Sequence, residues 1–268
     1  GQTMRVFAMS PKNDVFLTIY GLENGQPLVR SASGATSWTG QLPATQDYII
    51  KAVSVGEATN YTLQVVIPYT IKFAPGGTSA SVEGSVSARA VRDYIVRAMA
   101  GQTMMVSIDS PKSDVLLTIY GLEDGQPLVR YVSGATSWTG QLPATQDYVI
   151  EAVSVGEATN YSLQVIIPYT IKFAPGGTSA VVEGHVAGGS FVRYLLRAMA
   201  GQTMTVNIIS PNQDVLLTIY GLDDGQPLVR SVSGATSWTG VLPGTQDYVI
   251  DAVSVGGDAG VTLEVTVK

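Results

Sequence analysis

The chain repeats itself with a period of 100 residues, and no other feature narrows its fold as much. GQTM begins at Gly1, Gly101 and Gly201. DVFLTIYGLENGQPLVR at 14–30 returns as DVLLTIYGLEDGQPLVR and DVLLTIYGLDDGQPLVR, and TQDYII at 45–50 returns as TQDYVI at 145 and 245. Most positions match between the first two copies, the mark of a recent duplication. The period exceeds that of solenoid repeats and equals a whole domain. The chain therefore reads as an array of domains rather than one large enzyme.

Within each copy, nearly everything reads as strand. Val, Ile, Leu, Thr and Tyr dominate, and Gly, Pro, Asn and Asp punctuate the chain every 8–12 residues. ENGQP at 23–27 and EDGQP at 123–127 carry the Asn-Gly and Asp-Gly pairs of tight hairpins. No stretch keeps a helical apolar period. Eight strand candidates per copy predict tandem antiparallel β-sandwich domains, an all-β architecture. TMTVNII in the third copy sets the facing, with Met204, Val206 and Ile208 inward and Thr203, Thr205 and Asn207 outward. Position 5 varies as Arg5, Met105 and Thr205, and position 51 as Lys51, Glu151 and Asp251, so both are expected to face water. Tyr48 enters a strand just after a corner in LPATQDYII, a setting for a tyrosine corner.

The copies are not cut evenly. YTIKFAPGGTSASVEGSV at 69–86 reads as the opening of a full domain, which puts boundaries at 1–67, 68–167 and 168–268; the alternative frame moves the deficit to the C-terminal end, at Lys268. Domain 1–67 then lacks the opening hairpin that Tyr69–Ala100 and Tyr169–Ala200 supply to the others, leaving three cores and two hairpins. A sandwich short of two strands exposes unpaired backbone and an open core, which invites another chain. Phe7 and Met9 are apolar at outward positions where the second copy has Ser107 and Asp109. Ala8 is small at an inward position held elsewhere by Ile108 and Ile208. A docking neighbour would need such an outer patch and such an underfilled core; drift after duplication would leave the same residues.

Composition narrows function mainly by exclusion. Fifteen Lys and Arg lie scattered in a chain of net charge −6, which disfavours nucleic acid as a partner. No apolar run is long enough for a membrane span, and no signal peptide is visible. The chain opens on Gly1 rather than Met, as a processed form or a fragment would. With no Cys there is no disulfide, thiolate metal site or thiol catalysis. His185 is the only histidine, with Ser85 at the matching position, so no triad or metal set can be built on it. Glu23, Asp124 and Asp224 sit in turns, and no calcium-loop spacing appears. No catalytic residue, metal site or cofactor is expected. Asn60-Tyr61-Thr62 and Asn160-Tyr161-Ser162 fit the N-glycosylation pattern, making Asn60 and Asn160 candidate modification sites. Trp38, Trp138 and Trp238, each within SGATSWTG, have two readings: glycan-stacking platforms beside Ser and Thr, or packing.

TSASVEGSV, YIVRAMAGQTMMVSI, LPATQDYVI and YSLQV together resemble the bacterial pre-peptidase C-terminal modules, and periplasmic lysozyme inhibitors of similar fold. The resemblance implies a secreted, mostly non-catalytic β-sandwich, with no functional loop of either family matched by residues here. Near-identical tandem copies with strand-deficient ends look more like subunits of extracellular bacterial fibres. The leading expectation is a non-enzymatic structural subunit of an extracellular or cell-surface filament. It would form a head-to-tail homopolymer by strand complementation through Phe7, Ala8 and Met9 and through Val261, Leu263, Val265 and Val267. The alternative is a secreted carbohydrate-binding or lysozyme-inhibitor-like module, with glycans as partners.

Overall fold

The computed structural model describes all 268 residues and is all-β apart from three short 3-10 turns, at Ser31–Ser33, Tyr131–Ser133 and Ser231–Ser233. No helix is long and apolar enough to cross a membrane. The chain divides into two compact units, Gly1–Thr70 with Arg92–Ile95, and Ile71–Val91 with Val96–Lys268.

The first repeat contributes β1 (Thr3–Met9), β2 (Val15–Gly21), β3 (Pro27–Val29), β4 (Ser37–Gln41), β5 (Tyr48–Ser54) and β6 (Thr62–Val66). The second contributes β7 (Tyr69–Thr70), β8 (Ser79–Val86), β9 (Val91–Ala98), β10 (Thr103–Asp109), β11 (Val115–Gly121), β12 (Pro127–Val129), β13 (Ser137–Gln141), β14 (Gln146–Ser154) and β15 (Thr159–Ile166). The third contributes β16 (Tyr169–Thr170), β17 (Ser179–Val186), β18 (Phe191–Ala198), β19 (Thr203–Ile209), β20 (Val215–Gly221), β21 (Pro227–Val229), β22 (Ser237–Val241), β23 (Gln246–Ser254) and β24 (Ala259–Val267).

In the third repeat these strands form a four-stranded sheet, β17-β24-β19-β22, and a five-stranded one, β16-β18-β23-β20-β21. Pairing is antiparallel except for the two-residue β16, which runs parallel to β18. Period-two alternation sends Met204, Val206 and Ile208 from one sheet and Val215, Leu217 and Ile219 from the other into a shared core. The second repeat has the same two sheets, β13-β10-β15-β8 and β12-β11-β14-β9-β7. The first repeat has only β4-β1-β6 and β3-β2-β5, packed around Met4, Val6, Val15, Leu17 and Ile19.

Corners and turns follow local chemistry. Tyr48, Tyr148 and Tyr248 each donate a hydroxyl hydrogen bond to the carbonyl four residues back, at 2.8, 2.7 and 2.6 Å. The same hydroxyl accepts from that residue's N–H, so one phenol satisfies both backbone groups of the corner. The Asn-Gly segment is not a two-residue hairpin. The Gly25 N–H reaches the Gly21 carbonyl at 3.0 Å, and Gly25 alone of the turn takes positive φ, at 62°. Five residues link β2 to β3, because Gln46 holds the Glu23 and Asn24 amides from outside the turn.

Two positions expected to face water are buried instead. Met105 on β10 and Ile166 on β15 pack against Leu195 on β18 and Val249 on β23, so the outer sheet faces of the second and third repeats are joined by an apolar layer. Asp251 lies beside that layer, 5% exposed, in an ion pair with Arg193. Variation among copies at these positions reflects different neighbours rather than a shared solvent face.

Candidate interaction site

The same side chains have opposite fates in different repeats. Tyr161, Leu163 and Val165 on β15 are buried at 2%, 0% and 0% exposure, whereas Tyr61, Leu63 and Val65 on β6 are 52%, 38% and 47% exposed. Sequence cannot account for this, since the strands read YSLQV and YTLQV. Pairing accounts for it: β15 lies between β10 and β8, but β6 is the last strand of its sheet beyond β1. On the opposite sheet, β5 is the last strand where β23 continues to β18. In the third repeat, Tyr194, Leu196 and Ala198 of β18 cover the core over Tyr248 and Ile250. The equivalents Tyr48 and Ile50 are only half-buried.

The first repeat thus presents an open apolar trough with an unpaired strand edge on each lip. Such an edge is a template for added strands, and the trough floor supplies apolar area for their inward side chains. Lys51 stands on the β5 lip, its ammonium 5.1 Å from the centre of the Tyr20 ring. In the third repeat the matching position, Asp251, is the Cα partner of Arg193 across β18 and β23. That pair is bidentate, at 2.7 and 2.8 Å. Burial pushes the Asp251 carboxyl above its usual range, while the bonds and charge of Arg193 oppose the rise. Asp93, which matches Arg193, instead receives Arg5 at 2.7 Å. Burial raises its pKa as well, against the pull of Arg5.

The residues expected at an interface fall in different places. Phe7 is half-buried, 5.2 Å beneath the Arg5 guanidinium. Met9 is 50% exposed and borders a shallow hollow with Asn60 and Tyr61. Ala8 lies in the core of the first repeat. Val261, Leu263, Val265 and Val267 require a correction. They line the core of the third repeat, and β24 is hydrogen-bonded on both sides, to β17 and β19. An inner strand has no free edge to offer, so the C-terminal strand is not available as a donor.

Asn60 and Asn160 are exposed. Trp38 and Trp238 are half-buried against their cores, and each ring lies over the glycine two residues on, so that a Cβ on Gly40 would come within 2.7 Å of the Trp38 ring. Trp138 sits the same way over Gly140. One side of each indole is therefore occupied by its own strand. His185 is exposed, 3.9 Å from Asp258. No three His, Cys, Asp or Glu side chains converge as a metal site would require.

Tyr61, Leu63 and Val65 were missed by sequence reasoning. Their identity is shared with a buried strand, and the only signal was the shortage of one hairpin.

No protein-family model matches the chain, and no curated protein matches it. Among solved structures, Aeromonas hydrophila PliG, a periplasmic lysozyme inhibitor of g-type lysozyme, is 29% identical over 37% of this chain and 95% of its own, with a TM-score of 0.34. The Salmonella Typhimurium PliG is 23% identical over 37% of this chain and 96% of its own, at 0.30. A structure of Sulfolobus Turreted Icosahedral Virus covers 99% of this chain and 78% of its own at 12% identity and a TM-score of 0.24.

Proposed function

We propose that this protein is a non-catalytic structural subunit of an extracellular filament or surface fibre, joined to its neighbours by strand complementation at the first repeat and by stacking of sandwich faces. The observation that carries this reading is the exposure of Tyr61, Leu63 and Val65 beside buried twins in the next repeat. Covering three such side chains is worth on the order of several kcal/mol, before the cost of association is subtracted. Strands added at the two lips would also pair backbone groups along their length, which favours a slowly dissociating contact. Stacking has an internal precedent in the apolar layer of Met105, Ile166, Leu195 and Val249.

The test is sedimentation and electron microscopy of the full chain over a wide concentration range. Elongated, concentration-dependent particles that Leu63→Lys abolishes are expected. A chain that stays monodisperse and folded at high concentration overturns the reading.

A further inference from the structure

We infer that Asn24 is a site of spontaneous deamidation, and that the aspartate so formed completes a side-chain network that asparagine leaves one bond short. The inference concerns the turn between β2 and β3 and is independent of how the chain assembles.

The network is complete in the second and third repeats. Gln146 Oε1 accepts the amides of Glu123 and Asp124, and Gln246 Oε1 those of Asp223 and Asp224. Asp124 takes two further donors, the Gln126 main-chain N–H on Oδ1 at 2.9 Å and Gln146 Nε2 on Oδ2 at 2.8 Å. Asp224 does the same with Gln226 and Gln246, also at 2.9 and 2.8 Å.

In the first repeat Gln46 Oε1 still holds the Glu23 and Asn24 amides, and Asn24 Oδ1 still accepts from Gln26, at 3.0 Å. The atom in place of the second carboxylate oxygen is now an amide nitrogen, which donates. Gln46 Nε2 is accordingly buried with no hydrogen-bond partner. Turning either amide over does not cure this. With Asn24 reversed, its NH2 group meets the Gln26 N–H. With Gln46 reversed, the Glu23 and Asn24 amides lose their acceptor. Only a group that accepts at both positions satisfies every donor, and a carboxylate is that group.

The sequence supplies the route. Asn24 is the one asparagine of six that precedes a glycine, and it is exposed. Gly25 has no Cβ to hinder its main-chain nitrogen. When the turn opens locally, the Gly25 N–H leaves the Gly21 carbonyl and its nitrogen can attack Asn24 Cγ. The N–Cγ bond forms, the Cγ–Nδ2 bond breaks, and Nδ2 departs as ammonia with the proton from Gly25. Water then opens the cyclic imide. Attack at Cγ returns a proton to the Gly25 nitrogen and leaves aspartate, whereas attack at the Asn24 main-chain carbonyl leaves isoaspartate. Either way, an amide and water become a carboxylate and ammonium. Isoaspartate carries an extra main-chain methylene that shifts the carboxylate out of this network, and it can close to the imide again. The folded turn therefore draws the mixture toward aspartate.

The experiment ages the full chain at mildly alkaline pH, folded and in urea, and maps the products by peptide mass with a chemical assay for isoaspartate. The folded chain is expected to gain the mass of one amide-to-acid conversion at Asn24 and at no other asparagine, with a larger share of aspartate than the unfolded chain. Conversion in urea with none in the folded chain overturns the site. An equal share of isoaspartate in both overturns the role of the network. Independently, Asn24→Asp should slow hydrogen exchange at the Gln26 amide by about tenfold. In the Gln46→Met chain the same substitution should slow it less, which separates the Gln46 bond from the added charge. Equal slowing in both chains, or none in either, shows that aspartate completes nothing here.

Discussion

A single phenol can brace a corner or burden a core, depending on what its hydroxyl meets. The Tyr148 hydroxyl both donates to and accepts from Ala144, closing its corner with no polar atom left over. The Tyr194 hydroxyl is buried without a hydrogen-bond partner, and its pKa is pushed up to about 12 by burial, with the nearby Tyr169 adding to the rise. Tyr148→Phe should therefore destabilise the protein by about 1 kcal/mol, and Tyr194→Phe should leave stability unchanged or raise it by about 1 kcal/mol. Urea unfolding of the two variants side by side checks the contrast. The turns before β12 and β21 carry a second residue-scale effect. The Asp124 and Asp224 carboxylates accept from the Gln126 and Gln226 amides and from the Gln146 and Gln246 side chains, which lowers their pKa values below 3.8. A carboxylate with a depressed folded pKa stabilises above its unfolded pKa, and that contribution vanishes as pH falls through the folded value. The two turns should thus loosen only below about pH 3.8, while the first repeat, with Asn24 in that place, shows no such step. Carboxyl NMR titration of wild type and Asp124→Asn reads this directly.

Strands β18 and β23 are held together by more than their ladder. Arg193 joins them through Asp251 and extends to the Met105 sulfur at 3.4 Å, with the Phe191 and Tyr220 rings 5.0 and 5.7 Å from the guanidinium. A buried ion pair contributes little net stability but makes the loss of one member costly. Arg193→Met should destabilise the third repeat by about 3 kcal/mol, because Asp251 is left charged among apolar groups. The double change Arg193→Met with Asp251→Leu should recover most of that loss, and thermal unfolding of the single and double variants measures it. The same element explains why position 51 misleads when read alone. Lys51, Glu151 and Asp251 look like drift on a wet surface, yet Asp251 is sealed by Arg193 and by the apolar layer that Met105 and Ile166 bring against the third repeat.

At the scale of the whole molecule, the outer sheet faces are not equivalent. The second repeat offers Met105 and Ile166 to the third, but the third has Thr205 and Thr266 at those positions, with Thr205 bonded to Thr239 at 3.1 Å. A polar outer face of this kind is how repeat arrays stop stacking. Thr205→Met with Thr266→Ile should recreate an apolar seat and increase self-association, read as a larger sedimentation coefficient at equal concentration. An unchanged coefficient would mean that the apolar layer inside the chain depends on more than these two contacts.

Much of this was legible in residue order, because it depends on contacts close in sequence or on simple periodicity. Alternation placed Met204, Val206 and Ile208 inward, the step from LPATQ into a strand placed the tyrosine corner, and the 100-residue period set the sandwich as the unit of construction. What residue order could not convey was which identical residues end up covered. Leu63 and Leu163 sit in the same local sequence, and the presence of β8 beside β15 and of β9 beside β14 is what buries one of them. Nor could it reveal that Val261–Val267 form an inner strand, or that Met105 meets Leu195. Local sequence determines which face of a strand is apolar. Burial and pairing depend on neighbours brought in from far along the chain, and those only the tertiary structure decides.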